Sequence, residues 1–357
     1  MSLTQETITT ALRQVQDPEL HKDLVTLNMV KGITVDGSAV RLGIELTTPA
    51  CPMKDHIQKD IEAALKQIGA TKVHIEWSAQ VRSTPKLAAH LPGVKNVIAV
   101  GAGKGGVGKS TVAVLAAVGL AREGAKVGLM DADVYGPSIP KMLGIEFEKP
   151  RVRDEKILPL DACGIKVMSM GFMVEPERAV IWRGPMVHGV IKQFLEQVDW
   201  GELDYLIIDL PPGTGDVPLT LSQSIPMTGA VVVCTPQEVA LLDAIKALRM
   251  YQQLNVDILG IVENMSYFRA PDTGAEYDIF GRGGAKKAAE RVGVPFLGEI
   301  PININVRISG DSGSPADAFE KSDQATRDAI VSFVRNMAGQ VSIKSASGAA
   351  PLELKIT

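Results

Sequence analysis

Residues 103–111 read Gly103-Lys104-Gly105-Gly106-Val107-Gly108-Lys109-Ser110-Thr111 and fill the frame G-x-x-x-x-G-K-[ST]. Backbone N–H groups in a glycine-rich turn, together with those at a helix start, can point at phosphate oxygens. Here the context fits. The apolar run Asn96-Val97-Ile98-Ala99-Val100 precedes the loop as a buried strand, and Ser110 to Arg122 follows as a helix. Lys109 is placed to reach the β- and γ-phosphates of ATP, and the Ser110 hydroxyl to ligate Mg²⁺. A turn of glycines that binds nothing would not demand that strand and helix.

Carboxylates complete the set. Asp209 closes the apolar run Tyr205-Leu206-Ile207-Ile208, and Gly213 and Gly215 follow it. It is the expected second acidic group near the metal, binding directly or through water; the plainer role is a strand-end carboxylate that caps a turn. Asp131-Ala132-Asp133 follows a strand ending at Met130. Asp133 is the better candidate to orient an attacking water, with Asp131 behind it. A solvated acidic turn is the alternative for both.

Cys51, Cys163 and Cys234 lie far apart, with no C-x-x-C and no disulfide framework. Cys234 ends a buried strand and reads as core, and Cys163 sits in a loop. Cys51 precedes Pro52, which suits the first position of a helix. A helix N-terminus there, with Lys54 close by, favours a thiolate. Cys51 is therefore the candidate thiol ligand of a metal, or a nucleophile, against the plainer reading of a buried inert thiol.

The elements that position these groups fall into two parts of the 357-residue chain. Residues 1–82 read as a small α/β domain of order α-β-β-α-β. Its helices are Thr4 to Val15 and Lys54 to Ile68; its strands are Val30 to Val35, Val40 to Leu46 and Val73 to Trp77. Residues 83–95 read as a linker. Residues 96–337 alternate short apolar strands with helices, the pattern of a doubly wound, mostly parallel α/β sheet that binds ligands beyond its strands' carboxyl ends. The strands are 96–100, 126–130, 166–170, 205–209, 230–234, 258–263 and 296–300. The helices are 110–122, 185–198, 238–253, 283–292 and 322–337. Residues 338–357, rich in Gly, Ser and Ala, read as a mobile tail. A net charge of −4 gives no bulk attraction for nucleic acid or membrane. With no apolar window of eighteen residues and no signal peptide, a cytoplasmic protein with reduced thiols is expected.

Lys104 stands where an ordinary phosphate loop has a spacer. Lys-Gly-Gly-Val-Gly-Lys-Ser-Thr resembles the deviant Walker A motif of the MinD/ParA/nitrogenase-iron-protein class. The resemblance implies that Lys104 crosses to a partner's nucleotide, much as an arginine finger acts in trans, and hence a homodimer. Asp131 to Ser138, Trp182-Arg183-Gly184-Pro185-Met186, Ile208 to Asp216 and Val262-Glu263-Asn264-Met265-Ser266 are similar to one branch, the Mrp/ApbC-type iron–sulfur cluster carrier ATPases. So is Ile279-Phe280-Gly281 with Gly283-Gly284-Ala285. The resemblance implies that Asn264 contacts the adenine, and Arg183 suggests a role at the dimer interface or in sensing nucleotide. Asp17-Pro18-Glu19-Leu20, Leu24-Val25 and Thr47 to Pro52 resemble a small domain shared with iron–sulfur assembly factors.

One departure matters. In that branch a C-x-x-C pair per subunit holds a bridging [4Fe–4S] cluster. Here Ala270 and Thr273 stand in those places. The resemblance implies an ATP-hydrolysing homodimer that assembles clusters and transfers them to apoproteins, working with assembly factors. The departure keeps open a scaffold that no longer holds a cluster. A spatial-organising ATPase needs a basic amphipathic tail or a basic patch, and residues 341–357 carry only Lys344 and Lys355 as bases.

Overall fold

The computed structural model describes residues 3–84, 87–173 and 184–347. The Trp182-Arg183 pair lies outside them. The chain divides into two compact units, Met1–Arg82 and Ser83–Thr357.

The first unit has helix α1 (Gln5–Leu12), strands β1 (Val30–Asp36) and β2 (Ala39–Leu46), helix α2 (Lys54–Gln67) and strand β3 (Lys72–Ala79). Thr4 and Thr7 form a reciprocal capping box that starts α1. Gly37, at φ 58°, turns β1 into its antiparallel partner β2. β2 and β3 are parallel, with α2 as the crossover. Ile8, Leu12, Leu42, Ile44, Ile57 and Ile61 are fully buried between sheet and helices. Truncating one of them to Ala would cost about 2–5 kcal/mol.

The second unit is built on a nine-stranded sheet. Its strands are β4 (Val94–Ala102), β5 (Val127–Asp131), β6 (Leu160–Ala162), β7 (Ile165–Ser169), β8 (Leu203–Asp209), β9 (Gly229–Cys234), β10 (Ile258–Arg269), β11 (Glu276–Tyr277) and β12 (Phe296–Ile302). The order is β6-β7-β5-β8-β4-β9-β10, and β10 pairs with both β11 and β12. Only β6 and β11 run antiparallel to their neighbours. The expected doubly wound, mostly parallel sheet is therefore found. Its central strands are covered on both faces, which is why they read as unbroken apolar runs.

The helices that matter here are α3 (Lys109–Arg122), α4 (Gly184–Glu196), α5 (Asp216–Ser224), α6 (Glu238–Gln253), α7 (Gly284–Val292), α8 (Ile304–Asp311) and α9 (Gln324–Ser347). α3 is buried almost all round. A Cβ on Gly119 would stand 2.6 Å from Val334 of α9, so the two helices meet backbone to side chain.

α9 corrects the expected tail. It continues ten residues past 337, to Ser347. Composition suggests a tail, but the small residues let the helix pack closely. Val341 is buried, Ser345 Oγ donates to Asn96 Oδ1 at 2.9 Å, and Lys344 pairs with Asp257 at 3.0 Å. Among the described residues no helix is long and apolar enough to cross a membrane.

Candidate active site

Parallel register aligns the site. Asp209 at the end of β8 pairs with Asp131 at the end of β5, and Asp131 with Ser169 at the end of β7. The loop after β4 lies at the same edge and leads into α3. Two of its glycines are compelled. Gly108 has φ 76°, and a Cβ there would sit 2.2 Å from Asn264 Nδ2. A Cβ on Gly103 would strike the backbone of Asp243 in α6 at 2.1 Å. The loop is thus wedged between α6 and β10, and among the described residues its N–H groups donate no backbone hydrogen bond.

Lys109 is 6% exposed, and its neighbours are carboxylates. Nζ lies 2.7 Å from Asp209 Oδ1 and 3.4 Å from Asp133 Oδ2, and donates to Ser110 Oγ at 3.3 Å. Burial raises the pKa of Asp209; the Lys109 charge and hydrogen bond and the Ser110 hydroxyl oppose it. Asp209 Oδ2 is buried with no hydrogen-bond partner among the described residues. Asp131 is also fully buried and accepts from Ser169 Oγ at 2.8 Å, Asp133 N at 3.1 Å and Ile139 N at 3.3 Å. Burial, then the nearby Asp209 charge, pushes its pKa up. Asp133 accepts from Tyr135 N at 3.1 Å.

Two carboxylates face one lysine with a third, Asp131, behind them, and one buried carboxylate oxygen lacks a partner among the described residues. A hard cation suits that imbalance. Yet no group of three His, Cys, Asp or Glu residues among the described ones could hold a metal by itself. Mg²⁺ fits this state, because it is commonly bound by one or two protein oxygens plus phosphates and water.

The structure thus brings Lys109, Ser110, Asp131, Asp133 and Asp209 together. Lys104, half-buried in the loop, has no ion-pair partner among the described residues. Asn264 Nδ2 donates to Val107 O at 2.9 Å, so the amide braces the loop from β10. Sequence reasoning missed Ser169, which anchors Asp131, and Glu263. The available signal was a lone polar residue inside an apolar strand: Val167-Met168-Ser169 and Ile261-Val262-Glu263.

Ala270 and Thr273 lie in the turn joining β10 to β11. Thr273 Oγ1 accepts from Ala275 N at 3.3 Å, so its hydroxyl serves the turn. The cysteines offer no substitute there. Cys234 is buried and Cys163 exposed. In the first unit Cys51 is 4% exposed. N–H groups of Met53 and Lys54 do favour its thiolate, but burial dominates, the Glu19 and Asp17 charges add to it, and the pKa is pushed up to about 12. The expected thiolate is therefore a neutral thiol. The Lys54 ammonium lies over the Trp77 ring, its Nζ 5.3 Å from the ring centre. Glu19 itself is raised to about 7 by burial and by Asp17.

A parallel sheet with a glycine loop, a buried loop lysine and strand-end aspartates defines a P-loop nucleotide-binding protein. Residues 93–339 match the ParA family model, described as the NUBPL iron-transfer P-loop NTPase, and residues 5–77 match the iron–sulfur cluster assembly protein model. The chain belongs to the ParA/NUBPL family of P-loop NTPases. It is 51% identical to an iron–sulfur cluster carrier protein of Deinococcus radiodurans, across 94% of this chain and 95% of that one. The counterpart of Synechocystis is 50% identical, across 96% and 99%. Among solved structures, a nucleotide-binding protein of Archaeoglobus fulgidus in complex with ADP is 45% identical with a TM-score of 0.58, covering 64% of this chain and 90% of that one. The cell-division ATPase MinD of Pyrococcus furiosus, at 23% identity, 68% and 97% coverage and a TM-score of 0.50, shares the fold.

Proposed function

We propose that this chain is a homodimeric ATPase of iron–sulfur cluster assembly, which binds ATP and Mg²⁺, hydrolyses ATP slowly and passes clusters to apoproteins in the cytoplasm. The observation that carries this reading is the buried Lys109–Asp209–Asp133 cluster under the glycine loop, in a chain of an iron-transfer NTPase family. On binding ATP, Lys109 exchanges carboxylate partners for the β- and γ-phosphates, and residues 103–111 cradle them. Ser110 Oγ and Asp209 would hold Mg²⁺, Asp209 directly or through water, and the ion when bound neutralises phosphate charge. Asp133 orients the attacking water. Lys104 reaches the nucleotide of the second copy. Asn264 braces the loop and turns the rest of its amide to the adenine. Turnover lies below the ~10 s⁻¹ of ordinary metabolic enzymes. Residues 1–82 form the assembly-factor domain and 96–337 the core of the ATPase domain; of the expected linker 83–95, Val94 and Lys95 already belong to β4.

The cluster is cargo, and the hairpin does not fit it: Ala270 and Thr273 supply no thiolate. This favours a second reading, a nucleotide-gated scaffold in the same pathway. Cys51 remains the one candidate thiol ligand, and it must lose a tightly held proton to bind iron. Anaerobic reconstitution with iron and sulfide, beside an ATPase assay, decides between them. Retained iron and sulfide with Lys109-dependent hydrolysis supports the first reading. Hydrolysis without retained iron supports the second, and absence of hydrolysis contradicts both.

A further inference from the structure

Of the segment Glu263-Asn264-Met265-Ser266 in β10, only Asn264 has a part in the account above. Glu263 is fully buried in an apolar run. Its carboxylate accepts from Ser266 Oγ at 2.6 Å, Gly283 N at 2.8 Å and Ala285 N at 2.7 Å. The last two are donors at the start of α7 that have no partner within the helix, so Glu263 anchors that helix to β10. This explains the glycines before Ala285. Gly283 has φ 76°, and a Cβ on Gly284 would meet Pro236 O at 2.7 Å.

β10 is irregular at this point. Met265 has φ 54°, and pairing with β12 slips between Asn264 and Phe268. A left-handed non-glycine residue persists only where its surroundings hold it. The Ser266–Glu263 hydrogen bond spans the irregularity and supplies that hold. Asn264, inside the same span, is thereby aimed at Val107 O of the phosphate loop.

The network also extends away from the loop. Ser266 Oγ lies 3.2 Å from Glu299 Oε2. Arg282 bonds Glu299 through Nη2 at 2.5 Å and Nε at 3.2 Å, and Glu276 of β11 through Nη1 at 2.6 Å. Its guanidinium also lies 3.9 Å from the centre of the Tyr267 ring. The β10–β11 hairpin is thus joined, through Glu299 and Ser266, to the carboxylate of Glu263 that sets Asn264.

We propose that Glu263 and Ser266 are positioning residues of the nucleotide site, and that through Glu299 and Arg282 they make the 267–277 hairpin respond to nucleotide. The inference rests on the nucleotide reading above. The experiment uses the full chain with ADP as probe: calorimetry for affinity, hydrogen exchange at 267–277 for the hairpin, and thermal unfolding as a check of folding. Wild type should bind ADP and show slowed exchange in the hairpin. Ser266→Ala should bind ADP about tenfold more weakly and lose the hairpin response. Arg282→Ala, on an exposed side chain, should keep affinity within about twofold yet lose the response. A folded Ser266→Ala that binds ADP like wild type, or a hairpin response that survives Arg282→Ala, overturns the proposal. Failure of wild type to bind ADP would instead overturn the nucleotide reading beneath it.

Discussion

Lys109 is nearly buried and bonded to Asp209, with Asp133 close behind. On the proposed reading this lysine waits for phosphate, because phosphate oxygens can replace carboxylate oxygens without exposing the charge to an apolar wall. Lys109→Ala is expected to abolish ATP binding in equilibrium titration; normal affinity would remove the phosphate-loop assignment. Cys51 gives a second expectation at this scale. With a pKa near 12, its alkylation by iodoacetamide should quicken about tenfold per pH unit from pH 7 to 10, without a plateau. A chain in which Cys163 and Cys234 are Ser isolates the signal, and a plateau below pH 8 would restore the thiolate. Most of the site was legible because loop and strand-end residues declare themselves by type and spacing. At Cys51 the sequence displays the helix start but not the burial. The helix dipole supplies at most about 2 kcal/mol, and desolvation of a thiolate exceeds it. Ser169 and Glu263 stayed hidden because a polar residue in an apolar strand becomes meaningful only when a neighbouring strand brings it a partner.

At the scale of elements, continuous apolar runs made the seven principal strands of the large sheet readable, since buried parallel strands need apolar residues on both faces. The short helices α5 and α8 and the short strands β6 and β11 escaped, being too brief to show a period. The C-terminal half of α9 escaped for another reason: Ala, Gly and Ser carry little hydrophobic signal, yet they let a helix sit close to its neighbours. Removing residues 338–357 should therefore cost at least about 3 kcal/mol, from lost burial around Val341 and the lost Ser345–Asn96 bond. Calorimetry should show the unfolding midpoint of the large unit lowered by roughly 5–10 °C. An unchanged midpoint would mean that the last turns of α9 contribute nothing.

For the whole molecule, Lys104 is the residue of the phosphate loop that matters, because the family motif alone gives it a partner. It sits in the loop with no ion-pair partner among the described residues, while Lys109 already occupies the carboxylates. Lys104→Ala should retain ATP binding and lose ATP-dependent dimerisation, measured by light scattering on the magnesium–ATP form; a dimer undiminished by the change would remove the cross-subunit role. The sequence motif points to a second copy; the geometry of one chain adds only that this loop cation has no ion pair among the described residues. The two units add the rest of the account: an assembly-factor domain followed by an NTPase whose 267–277 hairpin lacks the thiolates that would make cargo binding obvious.

Cluster transfer tests the central claim most directly. The anaerobically reconstituted protein, freed of loose iron and sulfide, is mixed with an apoprotein that needs a [4Fe–4S] cluster, with ATP or a non-hydrolysable analogue. The account predicts that the acceptor regains its cluster absorbance with this protein as sole iron source, and faster with ATP. An acceptor that stays empty beside a protein that retained no iron or sulfide would contradict it.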